Sequence, residues 1–174
     1  MASIVGVLAG LGLIACTPHP AEPPPGDGPL VAFYGDSYTL GTGATDSARR
    51  WSSIICAERG WREFNPSVNG LGFVNNRTVA GEGDLPAQII TQQPDIVFVT
   101  MGLNDNFSFP HGPERIRDAI HDDFRRLDDA LPDARVIVVE PFWYTSDRPT
   151  SVDAIIGWVH AEAEAIEVVF DAIH

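Results

Sequence analysis

The sequence predicts an α/β fold: a parallel sheet with helices on both faces. Short, continuously apolar runs are typical of strands buried on both faces, and amphipathic runs with a helical period lie between them. Strands that alternate with helices are joined by crossovers and therefore run parallel. Active sites of such sheets form at the carboxyl ends of the strands, so the residues after each strand carry the functional information.

The strands and helices follow one another along the chain. Apolar runs predict strands at Leu30–Tyr34, Phe64–Val68 (weakened by Pro66), Asp95–Thr100, Arg135–Val139 and Glu167–Phe170. Helices are predicted at Arg49–Arg59, Leu85–Gln93, Pro113–Leu131 and Val152–Ala165. The clearest of these begins with Pro113, which suits a first helical turn, and places apolar residues on one side at Ile116, Ile120, Phe124, Leu127 and Leu131.

The charge balance excludes several classes of protein. The 174 residues include 24 Asp and Glu and 11 Arg but no Lys, which gives a net charge of −13. Without Lys there is no phosphate-binding loop lysine, Schiff-base enzyme or Ser–Lys dyad. The acidic balance argues against nucleic acid, and against an anionic membrane bound by surface charge alone. The length fits a single domain whose chemistry relies on Ser, His, Asp, Glu or Cys.

The first 15 residues are predicted to be a signal peptide, because they are apolar or small and too few to cross a bilayer, which needs about 20. They end in Leu13-Ile14-Ala15-Cys16, which resembles a bacterial lipobox, although no Lys or Arg precedes the apolar run. The resemblance implies a lipidated Cys16 as the first mature residue; an ordinary secretory signal is the alternative. We therefore expect a secreted protein, or one anchored to the outer face of a bacterial membrane. Residues 16–29 hold six prolines and predict an extended spacer before a domain at residues 30–174.

Four polar or glycine-rich segments follow predicted strands: Gly35–Gly43, Asn69–Gly72, Gly102–Asp105 and Asp171–His174. A doubly wound sheet brings such segments to one rim. A serine hydroxyl needs a base, usually an imidazole, whose tautomer is fixed by a carboxylate. Asp171 and His174 are three residues apart, so one turn can place them on the same side. Gly70 leaves its N–H unshielded, and the Asn104 amide offers a side-chain donor for a developing oxyanion.

The ordered motifs Gly-Asp-Ser, isolated Gly, Gly-x-Asn-Asp and Asp-x-x-His resemble the SGNH hydrolase superfamily, also called GDSL esterases/lipases. The resemblance covers most of the predicted domain and implies a three-layer α/β/α sandwich with a flavodoxin-like parallel sheet. It implies Ser37 as nucleophile, His174 as base and Asp171 as orienting acid. It also implies an oxyanion hole formed by the Ser37 N–H, the Gly70 N–H and the Asn104 side chain, with no metal or organic cofactor.

The function that these residues predict is a serine esterase that hydrolyses carboxylic esters through an acyl-enzyme. Short acyl esters, including acetyl groups on carbohydrate, are the expected substrates by analogy alone, since a fold and a triad do not fix the substrate. An acyltransferase that uses the same triad is one alternative. A non-catalytic surface binding protein that keeps the fold is the other.

The remaining candidates have simpler structural explanations. Asp36 and Asp105 are expected to accept backbone hydrogen bonds that hold their loops, and Cys56 to be a small core residue. The other histidines are expected to be solvated: His19, His111, His121 and His160. Aromatic residues that follow two of the strands are equally suited to substrate binding or to core packing: Phe107, Phe109, Phe142, Trp143 and Tyr144.

The chain ends on His174, whereas members of the superfamily that it resembles usually continue past this histidine. We expect a C-terminal extension to raise both stability and esterase activity.

Overall fold

The computed structural model describes residues 24–79 and 83–166, and the backbone of residues 169–171. The predicted signal peptide, Cys16, His19 and His174 therefore lie outside the described residues. No helix among the described residues is long and apolar enough to span a membrane.

Five parallel strands form one sheet in the order β2-β1-β3-β4-β5. Their bounds are β1 Leu30–Tyr34, β2 Arg62–Phe64, β3 Ile96–Val99, β4 Arg135–Val139 and β5 Val169–Asp171. This is the flavodoxin-like strand order, in which the chain changes direction across the sheet between β1 and β3. Tyr34 pairs with Val99, Val99 with Val138, and Val139 with Asp171, so the strands end at the same edge. The predicted fold class is confirmed.

Helices cover both faces of the sheet. Their bounds are α1 Ser37–Leu40, α2 Trp51–Arg59, α3 Leu85–Gln92, α4 Pro113–Ala130 and α5 Thr150–Ala165. Helices α3, α4 and α5 pack on one face around a core that includes Val97, Phe124 and Val159. Helix α2 packs on the opposite face, where Cys56 contacts a core built on Phe33 and Phe98.

The observed bounds of two strands differ from the predicted ones. The strand expected at Phe64–Val68 ends at Phe64, because Pro66 cannot donate to the ladder. Pairing instead begins upstream, where Arg62 lies opposite Leu30. The last strand includes Asp171, which pairs with Val139, so Asp171 ends the strand and does not follow it.

One predicted helix starts late for a local reason. Helix α2 begins at Trp51 and not at Arg49, because Arg50 is extended with ψ 149° and residues 47–49 form a separate 3-10 turn. The helix ends at Arg59, as predicted. Gly60 stops it by adopting a left-handed conformation with φ +66°.

Candidate active site

The turn after β1 positions Ser37 as the first residue of α1. Asp36 caps this helix by accepting a hydrogen bond from the Tyr38 N–H at 3.0 Å. Gly35 is required before it, because a Cβ there would lie 2.5 Å from the hydroxyls of Thr39 and Thr100. Ser37 is partly exposed at the carboxyl edge of the sheet.

The second loop places Gly70 in a turn in which the Leu71 N–H donates to the Val68 carbonyl at 3.3 Å. Gly70 has φ +70°, a left-handed conformation that glycine adopts without steric cost. Its carbonyl accepts hydrogen bonds from the side-chain amides of Asn75 at 2.8 Å and Asn76 at 3.1 Å. Among the described residues, no acceptor bonds the N–H of Ser37 or of Gly70. Two of the expected oxyanion donors therefore have no acceptor within the part of the chain that the structure describes.

Asn104 joins the two loops. It lies in the 3-10 turn Leu103–Phe107 that follows β3. Its Nδ2 donates to Asp36 Oδ2 and to the Leu71 carbonyl, both at 2.9 Å. One acceptor is the neighbour of Ser37 and the other is the neighbour of Gly70. Both hydrogens of the amide are therefore engaged by the protein.

Asp105 organises the loop that follows Gly70. Its buried carboxylate accepts three backbone N–H groups: Phe73 at 2.7 Å, Val74 at 2.8 Å and Asn75 at 3.0 Å. Gly72 must lack a side chain, because a Cβ would lie 2.5 Å from this carboxylate. The predicted backbone-binding roles of Asp36 and Asp105 are confirmed. Burial raises the pKa of both carboxyls, although backbone hydrogen bonds oppose the shift.

The proposed acid and base are only partly within the described residues. The backbone of Asp171 ends β5, and nothing is described of its side chain. His174 lies outside the described residues. The structure thus brings Ser37, Gly70 and Asn104 together, while the roles of Asp171 and His174 stay predictions.

A cavity of about 240 Å³ adjoins the Ser37 turn. Its walls come from the last residue of β4 and from the segments that follow β1, β3 and β4: Asp36, Tyr38, Thr100, Leu103, Val139, Glu140, Pro141, Phe142, Trp143 and Arg148. The rings of Tyr38 and Phe142 stack with centroids 5.8 Å apart, and both are about half exposed. Arg148 is paired with Glu140 at 3.0 Å, so its charge is already compensated. The cavity therefore offers aromatic faces and neutralised polar groups.

Three of the other candidate residues behave as expected: His111, His121 and Cys56. His111 and His121 are exposed, and His121 Nδ1 lies 3.0 Å from Glu162. Cys56 is buried, and burial raises the pKa of its thiol to about 12, so it is an unreactive core residue. Within the described ranges, no group of three or more His, Cys, Asp or Glu side chains could hold a metal ion.

Sequence reasoning missed a buried ionic group beneath the two loops. Arg77, in the loop after Gly70, forms paired hydrogen bonds with Asp123 of α4, and Tyr34 of β1 donates to the same carboxylate. The position of Asp123 could have indicated this group, because it is a charged residue between Ile120 and Phe124 on the apolar side of its helix.

Comparison with known proteins agrees with the family that the sequence motifs resemble. The model of the GDSL-like lipase/acylhydrolase family matches residues 33–172, a range that includes Ser37, Gly70, Asn104 and Asp171. A GDSL lipase of Mycobacterium tuberculosis is 31% identical over 150 residues, covering 80% of this chain and 64% of the relative. This chain therefore matches less than two thirds of that relative's length.

Solved structures show the same fold. The esterase EstA from Pseudoalteromonas superposes with a TM-score of 0.62 at 13% identity, covering 83% of this chain and 76% of EstA. Est24, a carbohydrate acetylesterase from Sinorhizobium meliloti, gives a TM-score of 0.61 at 19% identity, with 83% of each chain covered.

Proposed function

The chain belongs to the GDSL-like lipase/acylhydrolase family, and we propose that it hydrolyses carboxylic esters with Ser37 as nucleophile, His174 as base and Asp171 as orienting acid. One observation carries the proposal: the Asn104 amide bonds Asp36 beside Ser37 and Leu71 beside Gly70 at the same time. Three of the four sequence blocks therefore meet at one rim of the sheet.

The reaction proceeds through an acyl-enzyme. The Ser37 hydroxyl oxygen attacks the ester carbonyl carbon while His174 takes its proton, and Asp171 stabilises the resulting imidazolium. Collapse of the tetrahedral intermediate breaks the carbon–oxygen bond to the alcohol, which leaves with the proton from His174. Water, deprotonated by the same imidazole, then attacks the acyl carbon. The carboxylic acid is released and the Ser37 hydroxyl is restored.

The developing oxyanion accepts hydrogen bonds from the Ser37 N–H and the Gly70 N–H, which have no acceptor within the described part of the chain. Asn104 supplies the third donor. Because both of its N–H groups already bond protein acceptors, one bond must be shared or given up in the transition state. The bond to the Leu71 carbonyl is on the Gly70 side and is the one we assign to this exchange.

The position of β5 supports the assignment of the base. Asp171 pairs with Val139, which lines the cavity beside Ser37, so the chain leaves the sheet at the cavity wall. The three-residue spacing allows one turn to bring the His174 imidazole to the Asp171 carboxylate at this edge of the sheet.

The cavity supports short acyl esters, including acetyl groups on carbohydrate, as the substrate class. Its volume of about 240 Å³ is below the usual range for drug-sized ligands, which starts near 300 Å³. The exposed faces of Tyr38 and Phe142 offer apolar surfaces, and Glu140 offers an acceptor for hydroxyl groups. Est24, which shares the fold, is a carbohydrate acetylesterase. The apolar segment before Cys16 supports a secreted or lipid-anchored location.

The test is hydrolysis of p-nitrophenyl acetate by the purified protein, the Ser37→Ala variant and a matched control, Ser47→Ala. Ser47 is an exposed serine in a surface 3-10 turn. We expect Ser37→Ala alone to abolish turnover. Equal turnover by Ser37→Ala and the unmodified protein contradicts the proposal.

A fluorophosphonate probe gives an independent readout, since Ser37 would form an oxygen–phosphorus bond with loss of fluoride. EstA has been crystallised inhibited by monoethylphosphonate, a related class of reagent. We expect labelling of Ser37 in the protein and in Ser47→Ala, and none in Ser37→Ala. Product analysis with an added alcohol separates hydrolysis from acyl transfer, because only a transferase forms mainly the new ester.

A further inference from the structure

A buried ionic group lies below the proposed oxyanion site. Arg77 donates to Asp123 with both terminal nitrogens, Nη2 to Oδ1 at 2.9 Å and Nη1 to Oδ2. The Asp123 side chain is 4% exposed and that of Arg77 is 19% exposed. Tyr34, which is fully buried, donates its hydroxyl to Asp123 Oδ2 at 2.6 Å. Paired guanidinium–carboxylate bonds fix direction as well as distance.

Arg77 holds the end of the loop that presents Gly70. Its Nη1 also donates to the Phe73 carbonyl at 3.2 Å, inside this loop. The preceding residue, Asn76, is left-handed with φ +56°, a conformation that is uncommon outside glycine. In that conformation the Asn76 side chain reaches back to the Gly70 carbonyl at 3.1 Å. Anchoring Arg77 thus keeps Asn76 where it restrains Gly70.

The same group holds the strand that leads to Ser37. Tyr34 is the last residue of β1, three positions before Ser37, and its hydroxyl also accepts a hydrogen bond from Arg77 Nη1 at 3.1 Å. Asp123 belongs to α4, the long helix packed on this face. One carboxylate of α4 therefore fixes the strand before Ser37 and the loop after Gly70 relative to each other.

We propose that Arg77 is a positioning residue for the oxyanion hole: its bonds to Asp123, Tyr34 and Phe73 set the Gly70 N–H against the Ser37 N–H. This role rests on the proposed esterase function. A merely structural ion pair would stabilise the fold without altering turnover by the folded enzyme. A positioning residue changes kcat, because donors for the oxyanion act in the transition state more than in the ground state.

A matched control lies on the same carboxylate. Arg126 of α4 binds Asp123 at 3.3 Å and Asp84 at 3.0 Å. Arg126 is more exposed than Arg77, and its bonds are to carboxylates outside the Gly70 loop. Arg126→Met therefore removes an ion pair from Asp123 without removing a bond to the loop.

The experiment measures kcat and KM for p-nitrophenyl acetate in the full chain and in Arg77→Lys, Arg77→Met and Arg126→Met, well below each melting temperature, with folding checked by circular dichroism. We expect Arg77→Met to lower kcat about 10- to 100-fold with KM changed less than threefold, below the 10²–10³-fold loss on removing an oxyanion donor outright. We expect an intermediate kcat for Arg77→Lys, which keeps the charge but not the paired geometry. Arg126→Met should keep kcat within twofold.

Arg77→Met leaves Asp123 buried without its main partner and can fail to fold. The double variant Arg77→Met with Asp123→Leu removes both charges and tests the same loss of anchoring; its expected kcat is as low as that of Arg77→Met. Folded variants with kcat within twofold of the parent overturn the positioning role. If the parent neither turns over esters nor reacts with the fluorophosphonate, the proposed function fails first, and the role of Arg77 fails with it.

Discussion

Replacing Asp105 by Asn tests whether one buried carboxylate organises the Gly70 loop. Asp105 accepts N–H groups from Phe73, Val74 and Asn75. If the Asn oxygen keeps the two bonds made by Oδ1, its NH₂ group replaces Oδ2 and faces the Phe73 N–H. A bond to a charged group, worth about 1.5–3 kcal/mol, is then lost, and a buried donor is left unpaired at about 1–3 kcal/mol.

The loss is partly offset, because burial raises the pKa of Asp105 and so disfavours the charged form in the fold. A neutral Asn recovers that contribution. We therefore expect a net loss of about 2–4 kcal/mol in the free energy of unfolding, within the range of other buried polar substitutions. At about 2–4 °C per kcal/mol for a domain of this size, the melting temperature should fall by about 4–16 °C.

The assay is urea unfolding at pH 7 followed by circular dichroism, with thermal melts as a second measure. The control is Asp118→Asn, because the side chain of Asp118 is 70% exposed and its contact with Arg117 is long at 3.8 Å. We expect the control to change stability by less than about 0.5 kcal/mol. An Asp105→Asn variant as stable as Asp118→Asn would refute the conclusion that this carboxylate holds the loop.

Three further predictions address other parts of the molecule. Gly157→Ala should raise stability by about 0.5–1 kcal/mol in urea unfolding, because a Cβ on this exposed α5 residue meets no described atom within 4 Å beyond its chain neighbours and the backbone of its own helix; a loss contradicts it. Asn104→Ala should lower kcat for p-nitrophenyl acetate about 10²–10³-fold, and an unchanged kcat would remove Asn104 from the oxyanion hole. Asp36→Asn should cost less stability at pH 7 than at pH 4. Because the pKa of Asp36 is raised in the folded state, its carboxyl contributes fully to folding stability below the unfolded-state pKa. This contribution is lost as the pH rises through the folded-state pKa. A cost independent of pH contradicts the last prediction.

The central strands were predictable because burial on both faces leaves a continuous apolar run. Leu30–Tyr34 is buried at every position and was predicted with its observed bounds. Short edge strands lack that signal. Strand β2 begins with the charged Arg62 and Glu63, so the predicted strand starts at the apolar Phe64, which is the last residue of the observed strand.

The site was predictable where backbone geometry demands a residue type. A left-handed turn requires Gly70, and a turn after a strand favours Asp36 and Asp105. The partner of Arg77 was not predictable, because Asp123 lies 46 residues away and the contact depends on how α4 packs on the sheet. Tyr34 was counted as a core residue only, since its run of neighbours gives no sign that its hydroxyl has a buried carboxylate to bind.

The three backbone N–H groups that donate to Asp105 are expected to exchange slowly with solvent. Residues 71–79 contain no helix or strand, and amides of such segments usually exchange quickly with solvent. The amides of Phe73, Val74 and Asn75 nevertheless donate to a carboxylate that is 0% exposed. Their exchange therefore requires the loop to open, and the three amides should be protected together. Their common exchange rate would report the free energy of opening of the segment that presents Gly70.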